Sequence, residues 1–467
     1  MKKLNTILVF ILFVTLALVI GANHEPWADE AQSWIIARDA SCGEIIWDIS
    51  RYEGTFPLWF LTIKLFISLG LQYEYFFIIP IIISSIGLLV FLKSVDCPKF
   101  VKVLLPFSYY VFYQYTIIAR SYAYLFLALS LWAAVYKERM NKKFLYILSL
   151  VFISMISMHG MVISGILGVL FIIEIIKEKK AKESIFSIIF LIMIWIIEII
   201  ILMPRADLYM NINMIHTFKD AALAIITVIF SGATWPSRIY IGIGIILFAV
   251  LALMHLKLKR YDSLITLISL SFFMVFVRLL QHHLGIICLF LTFSLIVNYD
   301  ELKSKYKSFE PLFIITLIIY ISYTGFAVIN DFNDNYTGAK QMAIYIEEND
   351  INQDEIYRFG YVQVALIPYF EDNLFANTES TIYEWKVSNK DFYDYVNFDG
   401  IIDERYSYSP KYILVECNNE NEKILSINKA IEDSGLYELE YQASGKQFYK
   451  CTYSDIEAFN LYKLKNK

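Results

Sequence analysis

What this chain can fold into is set by its long apolar runs. "NTILVFILFVTLALVIGA" (5–22), "SIFSIIFLIMIWIIEIIIL" (184–202) and "PLFIITLIIYISYTGFAVI" (311–329) carry one charged residue between them, Glu198. Each approaches the ~20 residues that a helix needs to cross the hydrocarbon core of a bilayer. In lipid, every backbone polar group must be bonded internally, which leaves helices and closed barrels. Barrel strands alternate polarity, whereas these runs are apolar on all sides. Composition agrees: 58% of residues are hydrophobic and 18% charged, against about 45–50% and 25% in soluble domains. The fold class expected is a polytopic α-helical membrane protein.

Orientation follows from the basic residues. The first run exceeds a secretory h-region and lacks a clean cleavage site, so it reads as a retained helix with Lys2 and Lys3 in the cytoplasm. Basic clusters recur at Lys93/Lys99/Lys102, at 137–143 ("KERMNKK"), 177–182 ("KEKKAK"), 257–260 ("KLKR") and 303–307 ("KSKYK"). If all face the cytoplasm, pairs of spans separate them. The runs near 75–92, 101–118, 122–136, 144–158, 161–176, 185–203, 239–256, 263–277, 284–299 and 311–329 meet that condition. With the first helix they give about eleven spans, amino terminus inside and carboxyl terminus outside. Two shorter stretches, 56–71 (with Lys64) and 220–235, read as helices along the outer interface, with Trp59 and Trp235 at headgroup depth. The alternative is two further spans with compensating flips.

Beyond residue 330 the composition turns polar. "GAKQMAIYIEEN" and "SINKAIEDSG" have helical spacing, and "EIYRFGY", "KYILVEC" and "KQFYKCTY" resemble strands. The expected organisation is a membrane domain (1–330) and an extracytoplasmic α/β domain (331–467). Five cysteines show no CxxC spacing; Cys417 and Cys451, both in the second domain, are candidates for a disulfide. No basic footprint for nucleic acid exists.

With this topology, isolated polar residues gather at the outer face. Asp29, Glu30 and Arg38 fall in the first outer loop, and Glu53 stands before the first interfacial helix. Arg120 and Tyr122 occupy a tight outer turn, His159 the next, and Arg278, His282 and His283 the last. Charges at span ends are costly and tend to be functional, unless they snorkel. Paired carboxylates can hold a hard divalent cation such as Mg or Mn, or take a proton from a hydroxyl. Arginine at a membrane boundary suits a phosphate.

"WADEAQSW", "YEGTFPLWFLTIK", "ARSYAYLFL", "MHGMVIS" and "VRLLQHHLG", in that order, resemble the GT-C glycosyltransferases. The similarity is closest to the bacterial branch with aminoarabinose, mannosyl and galacturonosyl transferases. The resemblance implies transfer of a sugar from a polyprenyl-phosphate carrier to a glycolipid, cell-wall polymer or protein outside the cytoplasm, with inversion. It implies catalytic roles for Asp29, Glu30 and Glu53, with Asp29 and Glu30 as metal ligands if a cation is used. Arg120, Tyr122, His159 and Arg278 would contact substrate; His282 is a further substrate-binding candidate from its place in the same outer turn, and Lys64 suits a lipid phosphate reached by snorkelling. It also implies two interfacial helices in the first outer loop, matching 29–40 and 56–71. Two departures stand out. The family's His-Pro-Pro-Leu is Thr55-Phe56-Pro57-Leu58 here, and "ARPYA" has become "ARSYA" with no acid in the turn.

Plainer readings remain for each residue. Asp29 suits a helix N-cap, Arg120 and Arg278 suit snorkelling to headgroups, and His159 suits packing in a turn. For the whole chain the rivals are a lipid or solute transporter and a non-catalytic envelope assembly factor.

Overall fold

The computed structural model describes residues 3–205, 218–228, 238–276, 279–359, 362–371, 374–377, 410–417 and 422–465. Helix α1 (Lys3–Gly21) leads through an extended segment into α2 (Ala28–Asp39). Short turns α3 (Cys42–Glu44) and α4 (Ser50–Glu53) flank a π-helical turn, and Gly54 ends α4 at φ 59°, a conformation glycine adopts without cost. Then follow α5 (Leu58–Ser68), α6 (Ile78–Ser94), α7 (Lys99–Leu104), α8 (Ala123–Tyr136), α9 (Lys143–Ser154) and α10 (Met158–Lys177). The membrane part continues with α11 (Ala181–Leu202), α12 (Phe218–Thr227), α13 (Arg238–Lys257), α14 (Tyr261–Phe276), α15 (Gln281–Val297), α16 (Tyr299–Lys305) and α17 (Phe309–Asn333).

Among the described residues, four helical segments are long and apolar enough to cross a membrane: Tyr73–Ser94, Met158–Lys177, Ala181–Leu202 and Phe309–Asn333. A fifth results if α15 and α16, bent by 73°, are one span. Further apolar helices are shorter. At ~1.5 Å per residue, α8 and α9 are roughly 21 and 18 Å long, below the ~30 Å of a hydrocarbon core. The run at 101–118 shows why counting apolar residues overstates helix length. Pro106 has no N–H to donate, α7 stops at Leu104, and the chain re-forms as a π-helix over Tyr110–Ile117 with all eight residues buried. Apolarity there reflects burial in protein.

The two helices expected in the first loop are present as α2 and α5, and they differ in burial: α5 buries Trp59, Phe60 and Ile63, whereas α2 is largely enclosed. Nine residues of α2 are buried, including Glu30 and Gln32. Trp59, expected at headgroup depth, is 2% exposed and packs near Phe76 and Tyr124. Trp235 lies outside the described residues. Acids within the apolar helices are bonded near helix ends: Glu174 meets Arg139, and Glu198 accepts from Ser154 Oγ at 2.8 Å.

The carboxyl-terminal part contains α18 (Ala339–Glu348), β1 (Ile356–Phe359), β2 (Tyr412–Glu416), α19 (Glu422–Asp433), β3 (Tyr437–Tyr449) and β4 (Thr452–Leu464). The strands form one sheet in the order β1-β2-β4-β3, parallel between β1 and β2 and otherwise antiparallel. "KQFYKCTY" is not one strand but the tip of the β3–β4 hairpin, turning at Lys450 (φ 55°). One face of the sheet, with Phe359, Ile413, Val415 and Tyr462, packs on Ile427 and Ile431 of α19. Residues such as Leu414, Phe459 and Leu461 instead join the core of the helical part. Tyr449 OH pairs with Tyr110 OH at 2.6 Å, and buried Lys450 Nζ donates to Val228 O at 2.8 Å. The expected appendage therefore shares a core with the membrane part. Cys417 and Cys451 form no disulfide.

Candidate active site

The site begins at the first turn of α2. Trp27 is its extended N-cap (φ −88°, ψ 178°), and the Glu30 carboxylate three residues on returns to accept from Trp27 N at 3.2 Å. This reciprocal bond satisfies one of the orphan donors that every helix start presents. Residues adjacent in a helix point about 100° apart, so Asp29 and Glu30 face different surroundings.

Asp29 faces outward to Arg120, with which it forms an ion pair across 91 residues of chain. Both side chains are about one-fifth exposed. Arg120 sits in the turn between the π-helix and α8, and its guanidinium lies 5.8 Å from the centre of the Trp27 ring. Glu53, at the end of α4, is close enough to feel both charges. Burial pushes its carboxyl up to about 8, Asp29 adds to the shift, and Arg120 opposes it. Glu53 Oε1 is enclosed and meets no hydrogen-bond partner among the described residues. The three groups form an acid–cation–acid cluster with one carboxyl poised to hold a proton near neutral pH.

Glu30 faces inward and is fully buried. Its Oε1 accepts from Ala119 N at 2.5 Å, and its Oε2 also meets His24 Nε2 at 3.1 Å. His24 Nδ1 in turn meets Asp331, at the end of α17, at 3.2 Å. Burial alone would depress the imidazole, but the charges of Asp331 and Glu30 outweigh it and hold it up at about 10. Glu30 is thus a positioning residue. It fixes the backbone next to Arg120, and so sets where the guanidinium meets Asp29.

A second buried acid reaches the same turn from β4. Glu457 Oε2 accepts from Ala28 N at 3.3 Å, while its carboxyl also takes Thr337 Oγ1 at 2.7 Å and Gln447 Nε2 at 3.1 Å. A carboxylate at a helix N-terminus is favoured by the helix dipole. Burial raises its carboxyl to about 8, against the pull of the Thr337 and Ala28 hydrogen bonds.

Tyr122 links Arg120 to the histidines. Its ring is 5.6 Å from His282 and 5.9 Å from His283, and His283 lies 4.4 Å from His159. His159 is buried, and its Nε2 meets no hydrogen-bond partner among the described residues. Three sequence motifs therefore converge. Arg278 lies outside the described residues.

Two of the expected site roles meet other partners in this structure. Lys64 Nζ donates to Ala37 O (3.0 Å) and Ala40 O (2.8 Å), capping the carboxyl end of α2. The cause is geometric, since α5 packs along α2 and the lysine finds bare helix carbonyls first. Asp29 and Glu30 do not suit a shared divalent cation. One already faces a guanidinium, and the other is ringed by N–H donors. Among the described residues, no three His, Cys, Asp or Glu gather as ligands. Arg38, for its part, pairs with Asp39 and donates to Phe370 O at 3.0 Å.

His24, Asp331 and Glu457 escaped sequence reasoning. His24 stands five residues before Asp29, and Asp331 closes an apolar run, so both carried the signal of an ionisable group at a span end. Glu457 carried none, being one of several acids in a strand-like segment. Comparison with family models, with curated proteins and with solved structures finds no match for this chain.

Proposed function

We propose that this chain is an integral-membrane glycosyltransferase that moves a sugar from a polyprenyl-phosphate carrier to an extracytoplasmic acceptor with inversion. The proposal includes the finer topology, about eleven spans with a cytoplasmic amino terminus. One observation carries it: Asp29 and Arg120 pair, partly exposed, where apolar helices end, with the Glu53 carboxyl beside them. That arrangement supplies both halves of a displacement at the anomeric carbon. A donor phosphate competes with Asp29 for Arg120 and releases the carboxylate. Asp29 then takes the proton of the acceptor hydroxyl as its oxygen bonds to the anomeric carbon. The bond from that carbon to the phosphate oxygen breaks, and the phosphate leaves with the electron pair, its growing charge met by Arg120. Glu53, while it keeps its proton, can donate a hydrogen bond to the leaving phosphate without adding negative charge. No step needs a metal held by Asp29 and Glu30.

The test is turnover of a radiolabelled polyprenyl-phosphate hexose by the full chain in liposomes. Asp29→Asn is expected to lower transfer by about 10²–10⁴-fold, the usual range for a general base, with insertion and melting unchanged. Near-native turnover by that variant would sink the reading. Label crossing sealed vesicles with its glycosidic bond intact would favour transport instead.

A further inference from the structure

A cavity of about 290 Å³ opens where α1 ends and α6 begins. Glu30 and Ala119 line it, whereas Asp29 and Arg120 do not, so it is separate from the ion pair. Its other polar walls are Glu25, Tyr73, Glu74, Lys340 and Tyr369. Two of these side chains carry an enclosed polar atom that meets no hydrogen-bond partner among the described residues: Glu25 Oε2 and the hydroxyl of Tyr73. Tyr73 itself is 7% exposed. An enclosed polar atom left unpaired is costly, so the cavity calls for a guest that donates hydrogen bonds.

The charges narrow the choice. His24 is already flanked by Glu30 and Asp331. That leaves Glu25 and Glu74 against the single ammonium of Lys340, a surplus of negative charge whenever Glu25 is ionised. The rings of Tyr73 and Tyr369, 5.1 Å apart and edge to face, add the aromatic surface that attracts a cation. An anion would meet repulsion, and a neutral polyol would leave the surplus uncompensated.

We propose that this cavity binds a primary ammonium group, which donates to the Glu25 carboxylate and to the Tyr73 hydroxyl oxygen, a small rotation of each side chain bringing its enclosed oxygen to the guest. Lys340, exposed at the rim, would meet an acidic group a few bonds away, such as a phosphate. Burial pushes the Glu25 carboxyl up to about 7, with Lys340 and His24 working against the shift. An incoming ammonium would act in the same direction as those two and keep the acid ionised. Ala22 and Phe77, at the ends of apolar helices, line the cavity as well, which places it within reach of lipid headgroups. The site stands on its own geometry and does not rest on the transferase reading.

The test has two arms on the purified full chain. In nanodiscs containing phosphatidylethanolamine, phosphatidylcholine and phosphatidylglycerol, native mass spectrometry counts the lipid retained. In detergent, O-phosphoethanolamine and phosphocholine are titrated against the melting transition. Retained phosphatidylethanolamine alone assigns a membrane lipid as the source, and binding of the soluble ester assigns a free amine; either supports the proposal. Glu25→Gln should weaken binding about tenfold or more, the worth of a charge-assisted hydrogen bond, and Tyr73→Phe about fivefold. Melting without ligand checks that each variant folds, and Tyr73→Phe carries the test if Glu25→Gln does not. The proposal is overturned if neither probe binds, or if binding is unchanged in the folded variants. It is equally overturned if phosphocholine, which has no N–H, binds as well as phosphoethanolamine. Loss of transfer in Asp29→Asn would leave these outcomes untouched, so the two readings fail separately.

Discussion

Asp29 and Glu30 are neighbours in the chain and share little in the fold. Asp29 is partly exposed and meets one guanidinium. Glu30 is buried, and its two oxygens are taken by Trp27 N, Ala119 N and His24. One turn of α2 thus presents a partly exposed acid on one side and a buried acid on the other. An Asp-Glu pair in a sequence invites a joint role, as metal ligands or as a catalytic dyad. The helix separates the two by about 100°, and burial then decides which of them can exchange partners.

That division is broken most directly by exchanging each charge in turn. Asp29→Asn should abolish most transfer and leave melting alone. Glu30→Gln should do the reverse in the first instance. It strips His24 of one of its two acids and weakens the hold on Ala119, and breaking a buried ion pair costs about 3–5 kcal/mol. The readout is the melting midpoint in detergent, with transfer measured at a temperature where the variant is still folded. Transfer there should fall less than in Asp29→Asn. If Glu30→Gln instead melts like the native chain and loses transfer as deeply, Glu30 is chemical and the contrast fails.

The pH dependence of stability sharpens the inner half. His24 rises from an ordinary 6.5 to about 10 because two acids outweigh the effect of burial. A base whose folded value is raised gives its full stabilisation below 6.5 and loses it as pH climbs through about 10. His24→Gln removes that contribution. The melting gap between native chain and variant should therefore be widest below pH 6.5 and narrow steadily towards pH 10. Comparing the two chains at each pH cancels other acids that titrate in the same window, such as Glu53 and Glu457, provided the substitution leaves them undisturbed. A gap that stays constant across that range would mean that His24 is neutral in its pocket.

How much of this was legible follows the physics of each signal. Apolar runs announced the helices, because a residue facing lipid and one facing protein are chosen alike. For the same reason the runs could not tell a full span from the broken segment at Pro106. Arg120 and Glu53 were legible because a charge beside an apolar run is costly and needs a cause. Their meeting with Asp29 was expected from a common face and from resemblance, not from spacing. Glu457 was invisible: its partner Ala28 N lies 429 residues away, and a backbone amide leaves no mark in a sequence. The partners of Lys64 were not legible, because an amphipathic cation at a membrane boundary normally finds phosphate and nothing local revealed the helix carbonyls beside it.

Lys64 gives the smallest effect and the cleanest separation of anchoring from chemistry. Its Nζ bonds the carbonyls of Ala37 and Ala40, at the end of α2 opposite the one that carries Asp29. Lys64→Met keeps the length of the side chain and removes the charge. The loss should be about 1–2 kcal/mol, from hydrogen bonds of a charged donor and the favourable end of the helix dipole. Melting should drop accordingly, transfer per folded molecule should stay within about twofold, and stability should show no dependence on anionic lipid. A lysine held to lipid phosphate behaves otherwise: the native chain would melt higher in anionic bilayers, and the variant would lose that gain while melting alike in neutral ones. Because the cap acts at one end of α2 and the acid at the other, a large loss of transfer in Lys64→Met would mean that the whole helix shifts when its far end is freed. In that case the placement of Asp29 depends on both ends of α2, and the inner anchor at Glu30 is not sufficient by itself.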